Sequence, residues 1–299
     1  MENVTRFAVV GAGAVGCYFG GMLARAGFPV TLMGRPLHVD AVNNHGLRLE
    51  TQSFDQTVKL AASTEPDAVS GADVVLFCVK STDSRHSAQQ IAPFLGPNAV
   101  IISLQNGVEN AEIIRSVLPQ QVIPAVVYVA TEMAGPGHLK HFGRGELVIA
   151  DSPASASIAA AFGRAGVPVE CAADVRGAQW AKLIINCAYN ALSAVAQKTY
   201  AALVEVEGVN DLMAAVVDEC LLVAAADGVT VPGDIHTATR RIAQTMAGQY
   251  SSTAQDVARG KPNEIDYLNG YVVRRGRAHG IDTPINQTLL TLVKLVEKH

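Results

Sequence analysis

The sequence predicts an α/β domain followed by an all-α domain, on three observations. An apolar run at Arg6–Val10 ends on Gly11, a helix-like pattern follows to about Ala26, and a second run covers Pro29–Met33. Two further unbroken aliphatic runs stand at Val74–Val79 and Ala99–Leu104, the pattern of parallel strands covered on both faces. After Asp174 the strand-like runs give way to helix-like segments rich in Ala and Leu.

Each element has a local reason. Gly27 closes the first helix, so Arg6–Met33 reads as one β-α-β unit of about 30 residues. Gly71-Ala72-Asp73 leads into the strand at Val74, and the segment after it ends near Phe94-Leu95-Gly96-Pro97. Val122–Val129 and Leu147–Ala150 read as later strands, separated by a Gly-rich, hairpin-like excursion from Gly135 to Gly145. Segments 174–198, 208–227, 234–258, 262–279 and 285–297 read as helices, punctuated by Gly228, Gly233, Gly260, Pro262, Gly280 and Pro284. The expected domains are 1–172 and 173–299.

Composition excludes several functions. Of 299 residues, 49% are hydrophobic and 17% charged, which marks a globular chain, and a net charge of -4 offers no general attraction to nucleic acid or an anionic membrane. Arg274, Arg275, Arg277 and His279 form the one dense basic run, read as a solvated helix face. No apolar stretch approaches the roughly 18 residues of a membrane span, and a strand beginning by about Phe7 leaves no room for a signal peptide. The five cysteines are scattered, mostly in apolar runs and without a Cys-x-x-Cys pair, so they read as buried, reduced thiols of a cytoplasmic protein. No metal site is expected: His138 and His141 are the closest histidine pair, and they fall in the Gly-rich excursion, where solvent-facing loop residues are expected.

Gly11-Ala12-Gly13-Ala14-Val15-Gly16 follows a strand and opens a helix, the setting of a Rossmann-type dinucleotide-binding domain. Gly11 permits the tight turn, Gly13 lets the backbone approach a pyrophosphate, and Gly16 lets helix and strand pack closely. The helix N-terminus offers N–H groups to the phosphates. At the end of the second strand, Thr31-Leu32-Met33-Gly34-Arg35 lacks the acid that usually binds the ribose hydroxyls of NAD, and Arg35 suits a 2′-phosphate; NADP is therefore the expected cofactor. Lys80 follows the Val74–Val79 strand, where a phosphate or ribose contact and a plain surface lysine are both open.

In the second domain Lys182, Asn186 and Asn190 recur every fourth residue, a single helical stripe among apolar neighbours. Buried polar groups need partners, which a polar ligand or a hydrogen-bond network between domains would supply. Farther on come Gln249-Tyr250-Ser251-Ser252 with Asp256, then Asn263-Glu264-Ile265-Asp266-Tyr267-Leu268-Asn269-Gly270. By position alone Glu264 reads as a carboxylate favouring a helix start.

The glycine turn, Gln105-Asn106-Gly107, the Lys182 stripe, Ser251-Ser252 with Asp256, and the Glu264–Gly270 segment, in this order along essentially the whole chain, resemble the ketopantoate reductase (2-dehydropantoate 2-reductase) family. The resemblance implies reduction of 2-dehydropantoate by NADPH to (R)-pantoate, in pantothenate biosynthesis. Lys182 would donate the proton and bond the C2 oxygen. Asn106 would sit between nicotinamide and substrate, Asn186 and Asn190 would hold the C4 hydroxyl, and Ser252 would bind the carboxylate. Glu264 would contact the cofactor near its nicotinamide end and orient Lys182. Arg35 and Lys80 match positions near the adenosine phosphate, and Ala130 a backbone contact to the cofactor. The implied partner is a small 2-oxo acid, with neither nucleic acid nor membrane, and a homodimer is compatible with this pattern.

Two departures from the family pattern lie on the substrate side: Gln249 and Tyr250 stand where Asn is often found before the serine pair, and Tyr200 occupies an expected polar contact. The alternatives are a reductase of another branched 2-oxo acid and a non-catalytic NADP sensor. Short-chain dehydrogenases are excluded, because none of the 7 tyrosines has a lysine four residues later.

Overall fold

The computed structural model describes residues 5–297 and divides into two compact units, Met1–Val175 and Arg176–His299. The first unit runs β1 (Phe7–Val10), α1 (Ala14–Arg25), β2 (Val30–Met33), α2 (Pro36–His45), β3 (Leu47–Glu50), β4 (Asp55–Val58), β5 (Ala61–Ser63), β6 (Val74–Phe77), α3 (Ser84–Ile91), β7 (Val100–Ser103), α4 (Asn110–Arg115), β8 (Gln121–Gly135), β9 (His138–Ala150), α5 (Ser155–Arg164) and β10 (Val169–Ala172).

The strands lie in the order β4-β3-β9-β8-β7-β6-β1-β2-β5, with β10 also paired to β9. From β8 to β5 every pairing is parallel. Alternate side chains enter two cores: Phe7 and Val9 face one side with Phe19, Leu23 and Phe162, while Ala8 and Val10 face the other with Val75, Phe77 and Ile101. Burial on both faces is what the unbroken aliphatic runs encode.

The hairpin corrects one expectation. β8 and β9 run through the Gly-rich segment instead of stopping short of it, leaving Pro136-Gly137 as the turn. Gly143 (φ 139°) and Gly145 (φ 142°) stand at two of the three register shifts through which the strands continue. His138 and His141 are therefore strand residues: His138 Nε2 lies 2.7 Å from Glu50 Oε2, and the His141 ring stacks on Tyr18 at 4.5 Å. Strands β3, β4, β5 and β10 went unanticipated, being three or four residues long and largely without aliphatic runs.

The long helix α6 (Val175–Ala196) leads into the second unit, followed by α7 (Tyr200–Val204), α8 (Val209–Ala226), α9 (Ile235–Thr245), α10 (Ser252–Ala258), α11 (Asn269–His279) and α12 (Pro284–Val296). The single helix expected over 234–258 is two. Asp234 caps the first through Thr237 N and Ser251 caps the second through Ala254 N, both at 3.0 Å. Between them the carbonyls of Ala247 and Gln249 accept from the backbone N–H groups of Ala201 and Tyr200, bonds that a continuous helix would forbid.

The basic run on α11 is also more than a solvated face. Arg275 and His279 both bond Asp227, whose side chain is buried. Burial would raise the Asp227 pKa, but the Arg275 and His279 hydrogen bonds outweigh it and hold the carboxyl below its ordinary value. On α8, Glu219 accepts from Ile285 N at 2.8 Å and from Asn286 N and Nδ2 at 2.9 and 2.7 Å, so one carboxylate satisfies the start of α12. All five cysteines are free thiols, but Cys171 is exposed, against the expectation of burial. Among the described residues no helix is long and apolar enough to cross a membrane.

Candidate functional site

Four parallel strands end in step, with Val10 opposite both Met33 and Phe77, and Phe77 opposite Ser103. The residues that follow them, Gly11–Gly16, Gly34-Arg35, Cys78–Lys80 and Leu104–Asn106, therefore emerge along one carboxyl edge. The chain leaves β1 toward β2 and later returns on the opposite side as β6, so the glycine turn stands at the point where strand order reverses. That crevice is where open α/β sheets bind ligands.

The glycines fit a dinucleotide for distinct reasons. Gly11 has φ 101°, and a Cβ there would lie 2.7 Å from Val79 N. At Gly16 a Cβ would collide with the carbonyl oxygen of Gly11 and come within 2.8 Å of Val9 Cγ1, so α1 can pack this closely on β1 only without a side chain. At Gly13 the Cβ direction is open, with nothing within 4 Å. Gly13 also N-caps α1 without any side-chain hydrogen bond to its first N–H groups. Open space in front of unclaimed donors is a cradle for a phosphate.

Arg35 is exposed immediately before α2. Lys80 and Asn106 are half-buried on neighbouring loops, and the Asn106 carbonyl accepts from Asn110 Nδ2 at 2.6 Å and Ser81 Oγ at 3.3 Å. Ala130 stands apart from them. β8 leaves β7 after Pro124, and Ala130 lies on the extension paired only with β9, opposite Gly143 at a register shift.

Sequence patterning missed what fastens the turn from below. Cys17 Sγ donates to the Ala12 carbonyl at 3.4 Å and lies 3.2 Å from His38 Nε2, while His38 Nδ1 accepts from Gly137 N at 3.0 Å. Burial pushes the Cys17 thiol up to about 12 and lowers the His38 pKa. Both shifts keep the links neutral. Residues 21 and 99 positions apart leave no periodic signal.

In the second unit the stripe of α6 grades from boundary to core. Lys182 and Asn186 are half-buried, whereas Asn190 is 3% exposed. Trp180, Leu183, Ile184, Cys187 and Ala188 on the same helix are core. Asn190 Nδ2 donates to Thr253 Oγ1 at 3.3 Å, and its carbonyl accepts from Ser251 Oγ at 3.3 Å. These bonds set the start of α10 against α6 and bring the segment carrying Ser252, itself exposed, to the Asn190 end of the stripe.

Glu264 is half-buried, ahead of a single 3-10 turn at Ile265–Tyr267 and well before α11. At the start of that turn Asn263 Oδ1 accepts from Ile265 N at 2.9 Å, and the Glu264 side chain makes no capping hydrogen bond to it. Tyr200 is buried against Tyr189 at 4.8 Å, with its hydroxyl pushed up to about 12 by burial; Tyr250 is exposed beside the serine pair.

The model of the family "Ketopantoate reductase PanE/ApbA" matches residues 7–154, and that of its C-terminal region matches residues 174–297. The 2-dehydropantoate 2-reductase of Halobacterium salinarum is 34% identical, covering 98% of this chain and 99% of its own. A crystal structure of a PanE/ApbA family ketopantoate reductase from Ralstonia eutropha superimposes with a TM-score of 0.96 at 60% identity, covering 98% of both chains. D-mandelate dehydrogenase, solved with NADH and anilino(oxo)acetate, superimposes at 0.91 with 25% identity over 98% of both chains. This chain belongs to the ketopantoate reductase PanE/ApbA family of oxidoreductases.

Proposed function

We propose that the protein reduces 2-dehydropantoate to (R)-pantoate with NADPH, as a cytoplasmic enzyme of pantothenate biosynthesis. In this reading residues 1–172 bind the cofactor and 173–299 carry the substrate and catalytic groups. The observation that carries it is a pairing within one chain of this family: the Gly11–Gly16 turn at the strand-order reversal, and a half-buried Lys182 on a helix where Trp180, Leu183 and Ile184 beside it are core. Nucleotide binding alone requires no such ammonium, which argues against a non-catalytic sensor.

When bound, the reduced cofactor would supply the hydride for the 2-oxo carbon. The chain must supply orientation and a proton. Lys182 donates a hydrogen bond to the carbonyl oxygen, stabilises the charge that grows there, and then transfers its proton. Glu264 orients that ammonium and contacts the cofactor. Asn186 and Asn190 hold the C4 hydroxyl, Ser252 the carboxylate, and Asn106 the space between the reactants. Arg35 would pair with the 2′-phosphate in the absence of a competing acid, and Lys80 and the Ala130 backbone would help to hold the cofactor.

A second reading is favoured by Tyr200 and Tyr250, aromatic residues where polar ones are expected, and by the likeness to D-mandelate dehydrogenase. In it the same machinery reduces a bulkier 2-oxo acid. NADPH oxidation, followed by its near-ultraviolet absorbance, with 2-dehydropantoate, 2-oxoisovalerate and phenylglyoxylate separates the two. Fastest turnover of 2-dehydropantoate supports the proposal, and preference for phenylglyoxylate supports the second reading. No turnover of any of them restores the sensor.

A further inference from the structure

We propose that Asn110 is a positioning residue that fixes both cofactor-facing loops, those after β6 and β7, through a directional chain of buried hydrogen bonds. The inference rests on the cofactor reading above, in which Ser81, Ser84, Ser103, Gln105 and Asn110 have no role. Ser103 Oγ donates to Gln105 Oε1 at 3.1 Å. Gln105 Nε2 spends its two protons on the Val79 carbonyl at 2.9 Å and on Ser84 Oγ at 2.7 Å. Ser84 Oγ donates to Asn110 Oδ1 at 2.9 Å. Asn110 Nδ2 then spends its two protons on Ser81 Oγ at 3.0 Å and on the Asn106 carbonyl at 2.6 Å.

The five side chains are at most 7% exposed, so water does not replace a lost partner cheaply. All four side-chain amide protons of Gln105 and Asn110 have acceptors, so each link dictates the orientation of the next. The chain grips Lys80 from both sides, through the Val79 carbonyl before it and the Ser81 hydroxyl after it. It also fixes the Asn106 peptide plane, and with it the direction in which the Asn106 side chain leaves the backbone. An aliphatic core could hold these loops in place, but it would not orient a carbonyl. Ser84, Ser103 and Asn110 come from three separate elements, and they converge only because β6 and β7 end in register.

Asn110→Asp tests this, since it keeps the acceptor for Ser84 and replaces the donor with an oxygen facing the Asn106 carbonyl. Wild-type NADPH affinity, measured first by fluorescence titration of the full chain, stands or falls with the cofactor reading alone. Given binding, Asn110→Asp should raise the NADPH Kd about tenfold or more near pH 8, the loss expected of one buried bond turned repulsive. Relative to wild type, the loss should shrink as the pH falls to about 6, because a protonated carboxyl regains an O–H donor. Amide hydrogen exchange without cofactor should quicken at residues 78–82 and 104–108 together. Ser84→Ala, which removes the middle link, should quicken exchange in the same two loops even if the aspartate variant fails to fold. Unchanged exchange in these loops, or a lower melting temperature with unchanged Kd and no recovery in acid, would overturn the assignment.

Discussion

A methyl group on Gly11 would sit 2.7 Å from the backbone nitrogen of Val79, closer than a Cβ can stand to a neighbouring backbone. The turn after β1 and the loop after β6 are therefore fitted to one another, and the left-handed φ of 101° adds its own penalty for any side chain. Gly11→Ala should weaken NADPH binding at least about tenfold while leaving a folded protein. Calorimetric titration reads this directly, and a wild-type Kd would show that the turn is not part of the nucleotide site.

Lys182→Ala should lower kcat on the preferred 2-oxo acid by roughly 10²–10⁴-fold, the usual worth of a general acid, with the NADPH Kd nearly unchanged. Steady-state kinetics at saturating cofactor makes the comparison. Turnover within tenfold of wild type would remove the lysine from the chemistry.

Arg35 is exposed next to Gly34, with no acid at the end of β2. Arg35→Ala should raise KM for NADPH at least about tenfold and leave KM for NADH within about twofold, because only the former carries the 2′-phosphate. Equal effects on both cofactors would refute the 2′-phosphate assignment.

His38 gives a pH dependence with a definite sign. Its Nδ1 must be unprotonated to accept from Gly137 N, and burial lowers its pKa from 6.5. The unfolded chain then binds the proton more readily, so this contribution to stability is present above pH 6.5 and is lost as pH falls toward the depressed value. Urea denaturation of His38→Gln and wild type should show a shallower acid loss for the variant over this window. Parallel pH profiles would mean that the imidazole does not titrate with folding.

Glu219 satisfies two backbone N–H groups and one amide at the start of α12. Glu219→Ala should cost about 2–4 kcal/mol, since several buried donors lose a charged acceptor at once. Glu219→Gln, which retains one acceptor oxygen, should cost less. Chemical denaturation ranks the three proteins, and equal midpoints would show that other groups cap this helix.

The parallel strands were legible because burial on both faces demands continuous aliphatic runs, and Val74–Phe77 and Val100–Ser103 lie inside the expected segments. The turn into helix α1 was legible because glycines stand at Gly11 and Gly16, where a Cβ would collide with the backbone, and at Gly13, where the space stays open. The small strands around Leu47–Ser63 were not, since segments of three or four residues carry little periodicity even where, as at Leu47 and Leu49, alternate side chains are buried. Nor was the break between α9 and α10, which depends on bonds from the distant start of α7.

By itself the sequence determined the two-part architecture, the position of the glycine turn, and the helical stripe bearing Lys182, Asn186 and Asn190. All of these follow from spacing along a single strand or helix. Only the tertiary structure decided that Asn190 is held by Thr253 and Ser251, that Cys17 and His38 fasten the turn, and that Asn110 reaches both neighbouring loops. Such partners are chosen by strand register and helix packing. They are short in space and long in sequence, and no local pattern records them.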